Sequence, residues 1–164
     1  MNLIYYPNKF LDKQVKDVDI ENPSVDLKEL KDNMIDIMLS NNGIGLAANQ
    51  VEFDGQVFVM GDKEDNATIC INPKILQHTQ DTVQDMEGCL SFPGIYVNIT
   101  RPKDILAEWY DENLEKKTVK IEGYSAKCFL HEWDHLQGVT FKDRVSKLKW
   151  NMATKKARKL LKNV

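Results

Sequence analysis

Two histidines four residues apart, with a glutamate directly after the first, form the part of this chain best suited to chemistry: His131-Glu132-Trp133-Asp134-His135. On a helix, positions i and i+4 share one face, so both imidazoles can reach a single metal ion. Glu132 then projects beside that ion, where a carboxylate can handle the proton of a bound water. The plainer alternative is a pair of satisfied surface histidines. The chain holds only three histidines, and two of them stand in this HExxH spacing.

Two imidazoles do not complete a catalytic site, and a third ligand is needed. The run HEWDHLQGVTF has Phe141 where HExxHxxGxxH patterns carry a third histidine. No glutamate follows His135, and the one downstream carboxylate side chain is Asp143. The third ligand is therefore expected upstream. Cys89, in Glu87-Gly88-Cys89-Leu90-Ser91, is the best candidate, because a glycine neighbour leaves the backbone free to present a thiolate. Cys70 lies in the apolar run Ile69-Cys70-Ile71 and reads as a buried, inert thiol. Cys128 shares the helical stripe of His131 and His135. A closed Cys2His2 structural zinc site, and with it a non-catalytic binding module, stays open on these residues, although such a site has no use for Glu132. A metallopeptidase that cuts internal peptide bonds is a further alternative, weakened by the missing third histidine and downstream glutamate.

Three segments together resemble the signature motifs of the peptide deformylases. Gly43-Ile44-Gly45-Leu46-Ala47-Ala48-Asn49-Gln50 is similar to the first, Glu87-Gly88-Cys89-Leu90-Ser91 to the second and His131-Glu132-Trp133-Asp134-His135 to the third. They stand in the family's order with bacterial-type spacing, and the likeness continues through residues 135–144. Two positions depart from the common pattern: Leu130 stands where many members carry Gln, and Tyr124 where bacterial members carry Leu.

The resemblance implies hydrolysis of the N-formyl group of N-formylmethionyl nascent peptides, releasing formate. It implies one divalent ion held by Cys89, His131 and His135, Fe2+ in cells, with Zn2+, Ni2+ or Co2+ in preparations. Glu132 would move the proton, and the Gln50 amide with the backbone N–H of Leu90 would stabilise the oxyanion. Gly43, Gly45 and Gly88 would let backbone approach an extended peptide. Ile44, Tyr124, Cys128 and the His131 ring would wall the methionine pocket. Arg101 would contact substrate carbonyls or pair with a carboxylate such as Asp134. Some members dock on the ribosome through a basic C-terminal helix.

The elements that must position these residues read as α+β: mixed or antiparallel strands around a central helix carrying HExxH, plus a C-terminal helix. Residues 1–23 read as an irregular arm. Ser24 is the expected N-cap of a first helix whose stripe is Leu27, Leu30, Met34, Ile37 and Met38, stopped by Asn41-Asn42-Gly43. Residues 43–51 are too rich in Gly and Ala to assign. Strands are expected at 57–60, 68–71, 75–78 and 82–84, and a hairpin joins 105–110 to 117–121. The catalytic helix spans about 123–137 and is ended by Gly138. A basic helix covers 147–162.

The 164 residues fit one domain over 1–164, with residues 147–164 as its basic C-terminal helix. No apolar run approaches the ~20 residues that span a bilayer, so no membrane partner is expected. The opening MNLIYYPNKFLDK lacks a basic start and a long apolar stretch, and three irregularly spaced cysteines are no disulfide framework. Both features point to the cytoplasm. Charge is uneven: residues 142–164 hold nine Lys/Arg against one Asp, although the net charge is −3. That tail reads as a solvated face or as a surface for a polyanion such as RNA.

Overall fold

The computed structural model describes residues 1–163. The end of the expected 147–164 segment, Val164, lies outside the described residues. Helix α1 (Leu27–Ser40) starts at Asp26 and not at Ser24. The Asp26 carboxylate accepts from the backbone N–H of Lys28 and Glu29, which satisfies two of the donors a helix start leaves open. Leu27, Leu30, Met34, Ile35 and Met38 face the core. Asn42 ends the helix in the left-handed region at φ 57°, and Gly43 N–H closes the last turn on the Met38 carbonyl at 2.8 Å.

Five antiparallel strands form the main sheet in the order β1-β2-β3-β6-β7. They are β1 (Gly45–Ala47), β2 (Val57–Met60), β3 (Thr68–His78), β6 (Asp104–Tyr110) and β7 (Lys116–Glu122). The segments expected at 68–71 and 75–78 are one strand, broken in register by irregularities at Ile71/Lys74 and Ile75/Gln77. Pro73 cannot donate to a ladder, and a bulge is where a strand tolerates it. Asn72, at φ 49°, uses its side chain to bind both N–H and carbonyl of Val18, tying down the N-terminal arm. That arm is not wholly irregular, since Lys9–Asp12 forms a 3-10 turn capped by Asn8.

A separate hairpin pairs β4 (Thr82–Cys89) with β5 (Phe92–Pro102) through the two-residue turn Leu90-Ser91. β4 runs five residues past the expected end at 84, and β5 had no counterpart in the sequence reading. Pro93 and Gly94 hide its start, and Arg101 stands where alternation requires an apolar residue after Val97 and Ile99. Helix α2 (Gly123–Leu136) lies between the main sheet and β5, with Phe129 edge-on to Phe58 at 4.9 Å. Helix α3 (Lys147–Lys162) begins at the Ser146 cap and lies on β5. Trp150 and Ala157 are its buried residues, and Trp150 packs at 5.7 Å on Phe92 and 5.4 Å on Phe141. No helix among the described residues is long and apolar enough to cross a membrane.

Gly138 stops α2 at φ +75°, and a Cβ there would stand 2.6 Å from the Asp12 carbonyl and 3.0 Å from the Gln14 nitrogen. Both the backbone conformation and the close approach of the arm require glycine. Gly138→Ala is expected to lower unfolding free energy by about 1–3 kcal/mol, read as a fall in the urea midpoint at unchanged m-value.

Candidate metal centre

Cys89 ends β4, while His131 and His135 stand on successive turns of α2. The ligand atoms of these three residues all lie within 4.8 Å of one another, and Cys89 Sγ is 3.3 Å from His135 Nε2. His131 presents one nitrogen only, because its Nδ1 is engaged at 2.8 Å by Glu87 Oε1. A thiolate and two neutral imidazoles suit a soft or borderline divalent ion. A carboxylate behind the imidazole is the usual way of fixing ring orientation at such a centre. Cys128 stands outside this group: its Sγ is 3.5 Å from the Ile44 carbonyl oxygen, and burial pushes its thiol up. A closed site with two sulfurs therefore has no support, and Cys70 is buried in the sheet.

The β4–β5 register shifts between Glu87 and Cys89, and both side chains meet α2, Glu87 at His131 and Cys89 at His135. Glu87 is buried and bound on its far side by Arg101, Nε to Oε2 at 2.6 Å and Nη2 to Oε1 at 3.0 Å. Burial alone would raise its carboxyl, but the hydrogen bonds from His131 and Arg101 outweigh that and hold it at about 2. Arg101 also reaches Asp134 Oδ2 at 3.0 Å, the pairing anticipated from the sequence. Arg144 clamps the same Asp134 with two bonds of 2.7 and 3.0 Å. Glu87 and Arg144 had been given no role by sequence reasoning. The signal for Glu87 was its place two residues before Cys89, legible only once β4 extends that far.

Glu132 is buried, and its Oε2 has no hydrogen-bond partner in the protein. Burial pushes its carboxyl up to about 7; His131 and Arg101 pull it down and Glu87 pushes it further up. Gly45 makes room for it, since a Cβ at that position would overlap the Glu132 carboxylate. Gln50 sits in the 3-10 turn Ala48–Val51 with its amide fixed at both ends. Its Oε1 accepts from Ala47 N–H at 2.9 Å, and its Nε2 donates to Ser91 Oγ at 3.0 Å and lies 3.5 Å from Cys89 Sγ. Ser91, also unassigned from the sequence, thus orients the donor end of Gln50. Asn49 donates to the His135 carbonyl and so ties this turn to α2.

The site opens on one cleft of about 510 Å3, lined by Gly43, Ile44, Gly45, Gln50, Glu87, Gly88, Cys89, Leu90, Tyr124, Cys128, His131 and Glu132 among others. Every site residue expected from the sequence lines it except His135 and Arg101, which stand behind it. The neighbours β1 and β2 pair with each other, and β4 pairs with β5 alone, so β1 and β4 each leave one edge free. Those two edges flank the cleft. Arg101→Met is expected to cost about 3–5 kcal/mol in urea unfolding, because it takes the bidentate cation from the buried Glu87, whereas Asp134 keeps Arg144.

The sequence and the fold were compared with those of known proteins. The polypeptide deformylase family model matches residues 1–151. The peptide deformylase of Psychrobacter cryohalolentis is 39% identical over 145 residues, covering 87% of this chain and 79% of its own. That of Aquifex aeolicus is 37% identical over 167 residues, covering 99% of this chain and 97% of its own. A peptide deformylase from Synechococcus elongatus, solved in complex with actinonin, is similar in fold with a TM-score of 0.85 at 38% identity, covering 96% of this chain and 86% of that one. The Legionella pneumophila structure gives 0.88 at 31% identity, covering 98% and 95%. With the matched model spanning its three motifs and the hairpin that carries Cys89, this chain belongs to the polypeptide deformylase family.

Proposed function

We propose that this deformylase hydrolyses the formamide of N-formylmethionyl peptides, with Cys89, His131 and His135 holding one divalent ion. The observation that carries the reading is the convergence of one sulfur and two imidazoles within 4.8 Å beside an unpartnered Glu132 carboxylate. When bound, the ion supplies Lewis-acid polarisation and an acidified water. Its donor set is compatible with Fe2+, the ion we assign in cells, and with Zn2+, Ni2+ or Co2+ in preparations.

Glu132 takes the proton of the attacking water at its free Oε2 and returns it to the leaving amine, so that formate and a free α-amine separate. A carboxyl drawn to about 7 by burial is matched to that two-way transfer near neutral pH. The Gln50 Nε2 and the N–H of Leu90, at the β4–β5 turn, donate to the developing oxyanion. Ser91 and Ala47 hold the Gln50 amide in place, so little reorganisation is needed as charge develops. The free edges of β1 and β4 pair with an extended peptide from both sides, and Gly43, Gly45 and Gly88 permit the approach. The methionine side chain enters between Ile44, Tyr124, Cys128 and the His131 ring. Arg101 acts behind the site, through Glu87 and Asp134, and not on substrate.

Residues 1–164 act as one domain in this reading, supported by the match over 1–151 and by α3 resting on β5. Three free thiols fit a reducing cytoplasm. The lysines and arginine of α3 are all exposed, with Lys155, Lys156 and Lys159 on the side away from Trp150, and offer the basic face with which the helix would dock on ribosomal RNA.

Glu132→Gln is expected to lower formate release from formyl-Met-Ala-Ser, assayed anaerobically, by about 10²–10⁴ with metal content unchanged; wild-type turnover in that variant would remove the base assignment. Reversing the charge of Lys155, Lys156 and Lys159 is expected to abolish salt-sensitive co-sedimentation with ribosomes while sparing the packed Trp150. Sedimentation that ignores these changes would remove the docking role.

A further inference from the structure

His131 has its outer nitrogen fixed by Glu87, and Cys89 has the Gln50 amide 3.5 Å from its sulfur. His135 has no such neighbour. It is fully buried, and its Nδ1 has no hydrogen-bond partner in the protein. Its Nε2 is the nitrogen turned to the ligand group, 3.3 Å from Cys89 Sγ. A neutral imidazole carries one proton, and a nitrogen that binds an ion must be free of it. The proton of His135 therefore belongs on Nδ1. That makes Nδ1 a buried donor, and a buried donor costs free energy unless an acceptor meets it.

Asn49 supplies the complement. It is fully buried, and its Nδ2 donates to the His135 carbonyl and, at 3.4 Å, to the Lys13 carbonyl. Its Oδ1 has no partner. Among the described residues, the buried side-chain atoms without a partner are Glu132 Oε2, which the proposed chemistry uses, Trp109 Nε1 on β6, and this one donor and one acceptor. The last two stand on residues already joined by a hydrogen bond. The amide is held in its orientation, because a flip would set Oδ1 against the two carbonyls that Nδ2 now satisfies. The 3-10 turn Ala48–Val51 thus places consecutive side chains against two of the three ligand residues, Gln50 at Cys89 and Asn49 at His135.

We infer that Asn49 is the positioning residue of His135: its Oδ1 accepts the Nδ1–H, directly or through one buried water, and so fixes the tautomer and ring orientation that present Nε2 to the ion. The inference rests on the metal-centre reading, since ion binding at Nε2 is what puts the proton on Nδ1. Glu87 serves His131 in the same way with a charge, whereas Asn49 serves His135 with a neutral oxygen. The neutral acceptor adds no anion to a buried site that already holds Glu87, Glu132 and Asp134. Gln56 provides a contrast. Its Nε2 donates to the Val15 and Leu136 carbonyls at 2.7 and 3.1 Å, which ties the same end of α2 to the N-terminal arm with no bond to the ring.

The full chain loaded with Zn2+ tests this. In the wild-type protein, long-range 1H–15N spectra are expected to show His135 protonated on Nδ1, with a ring N–H that exchanges slowly with solvent. Asn49→Leu keeps the size of the side chain and removes the acceptor. It is expected to lower Zn2+ affinity, read by chelator competition, by about 10–100-fold. It should also speed exchange of the His135 ring N–H and leave that of His131, held by Glu87, unchanged. Asn49→Thr returns an acceptor oxygen and should recover most of both losses. Gln56→Met should lower the urea midpoint and spare both readouts. Wild-type affinity and exchange in Asn49→Leu, or equal losses in Gln56→Met, would overturn the role of Asn49 while leaving the metal centre intact. The wild-type spectrum decides independently of how any variant folds, because a His135 proton found on Nε2 would overturn the pairing. A wild-type chain that binds no Zn2+ would overturn both the pairing and the metal centre.

Discussion

Arg101 is the tie on which the centre depends. It is buried on β5, and its guanidinium binds Glu87 of β4 on one side and Asp134 of α2 on the other. Those carboxylates bracket the candidate metal-binding triad: Glu87 lies two residues before Cys89 and bonds to His131, and Asp134 directly precedes His135. The hairpin and the helix belong to different parts of the fold, and besides this buried tie they are joined at the surface by Lys127, which binds Asp85 and the Met86 carbonyl. With Arg144 closing the second oxygen of Asp134, the network holds two cations and two carboxylates. That balance makes its burial tolerable, since a lone buried charge is far costlier than a paired one. Geometric precision at the site therefore comes from charge pairing one layer behind it, where solvent does not screen it.

The same arrangement leaves two strand edges unpaired on purpose. β1 is only three residues long and ends the main sheet, and β4 has a partner on one side alone. Open edges invite pairing with any passing strand. Residues of both strands line the cleft that holds Gln50 and Glu132, which in the proposed reading brings a paired backbone to those two groups. Glycine at 45 is required by Glu132, whose carboxylate takes up the volume a side chain would need. In the proposed reading, one missing side chain both admits an extended chain and leaves room for the buried Glu132 carboxylate.

A second, smaller core couples the site to the C-terminal helix. Phe92 begins β5 just after the Leu90-Ser91 turn, and it meets Phe141, Trp150 and Tyr6 within about 6 Å. Phe141 stands where a third histidine would sit in other HExxH proteins, and its ring lies 5.9 Å from that of His131. It supports the ligand by packing in place of joining it. Trp150 and Ala157, with the half-buried Ala153 between them, anchor α3 and leave its lysines and arginine exposed.

Local physics was enough to read much of this chain from its residues. The i, i+4 spacing of His131 and His135, the apolar stripe of α1, the hairpin turn at Asp111 and the full extent of α3 each depend on neighbours within a few positions, and each is legible in the order of amino acids. The lack of a downstream histidine or glutamate pointed upstream for the third ligand, and the glycine beside Cys89 made that cysteine the best candidate. Contacts between distant segments were not legible. β5 stayed hidden because its pattern is broken by Pro93, Gly94 and a buried arginine whose partners are 14 and 33 residues away. Glu87 and Ser91 acquired roles only when the hairpin brought them to His131 and Gln50. Residue order carries periodicity and chemical type, while the pairing of buried charges is decided by which surfaces the packed core brings face to face.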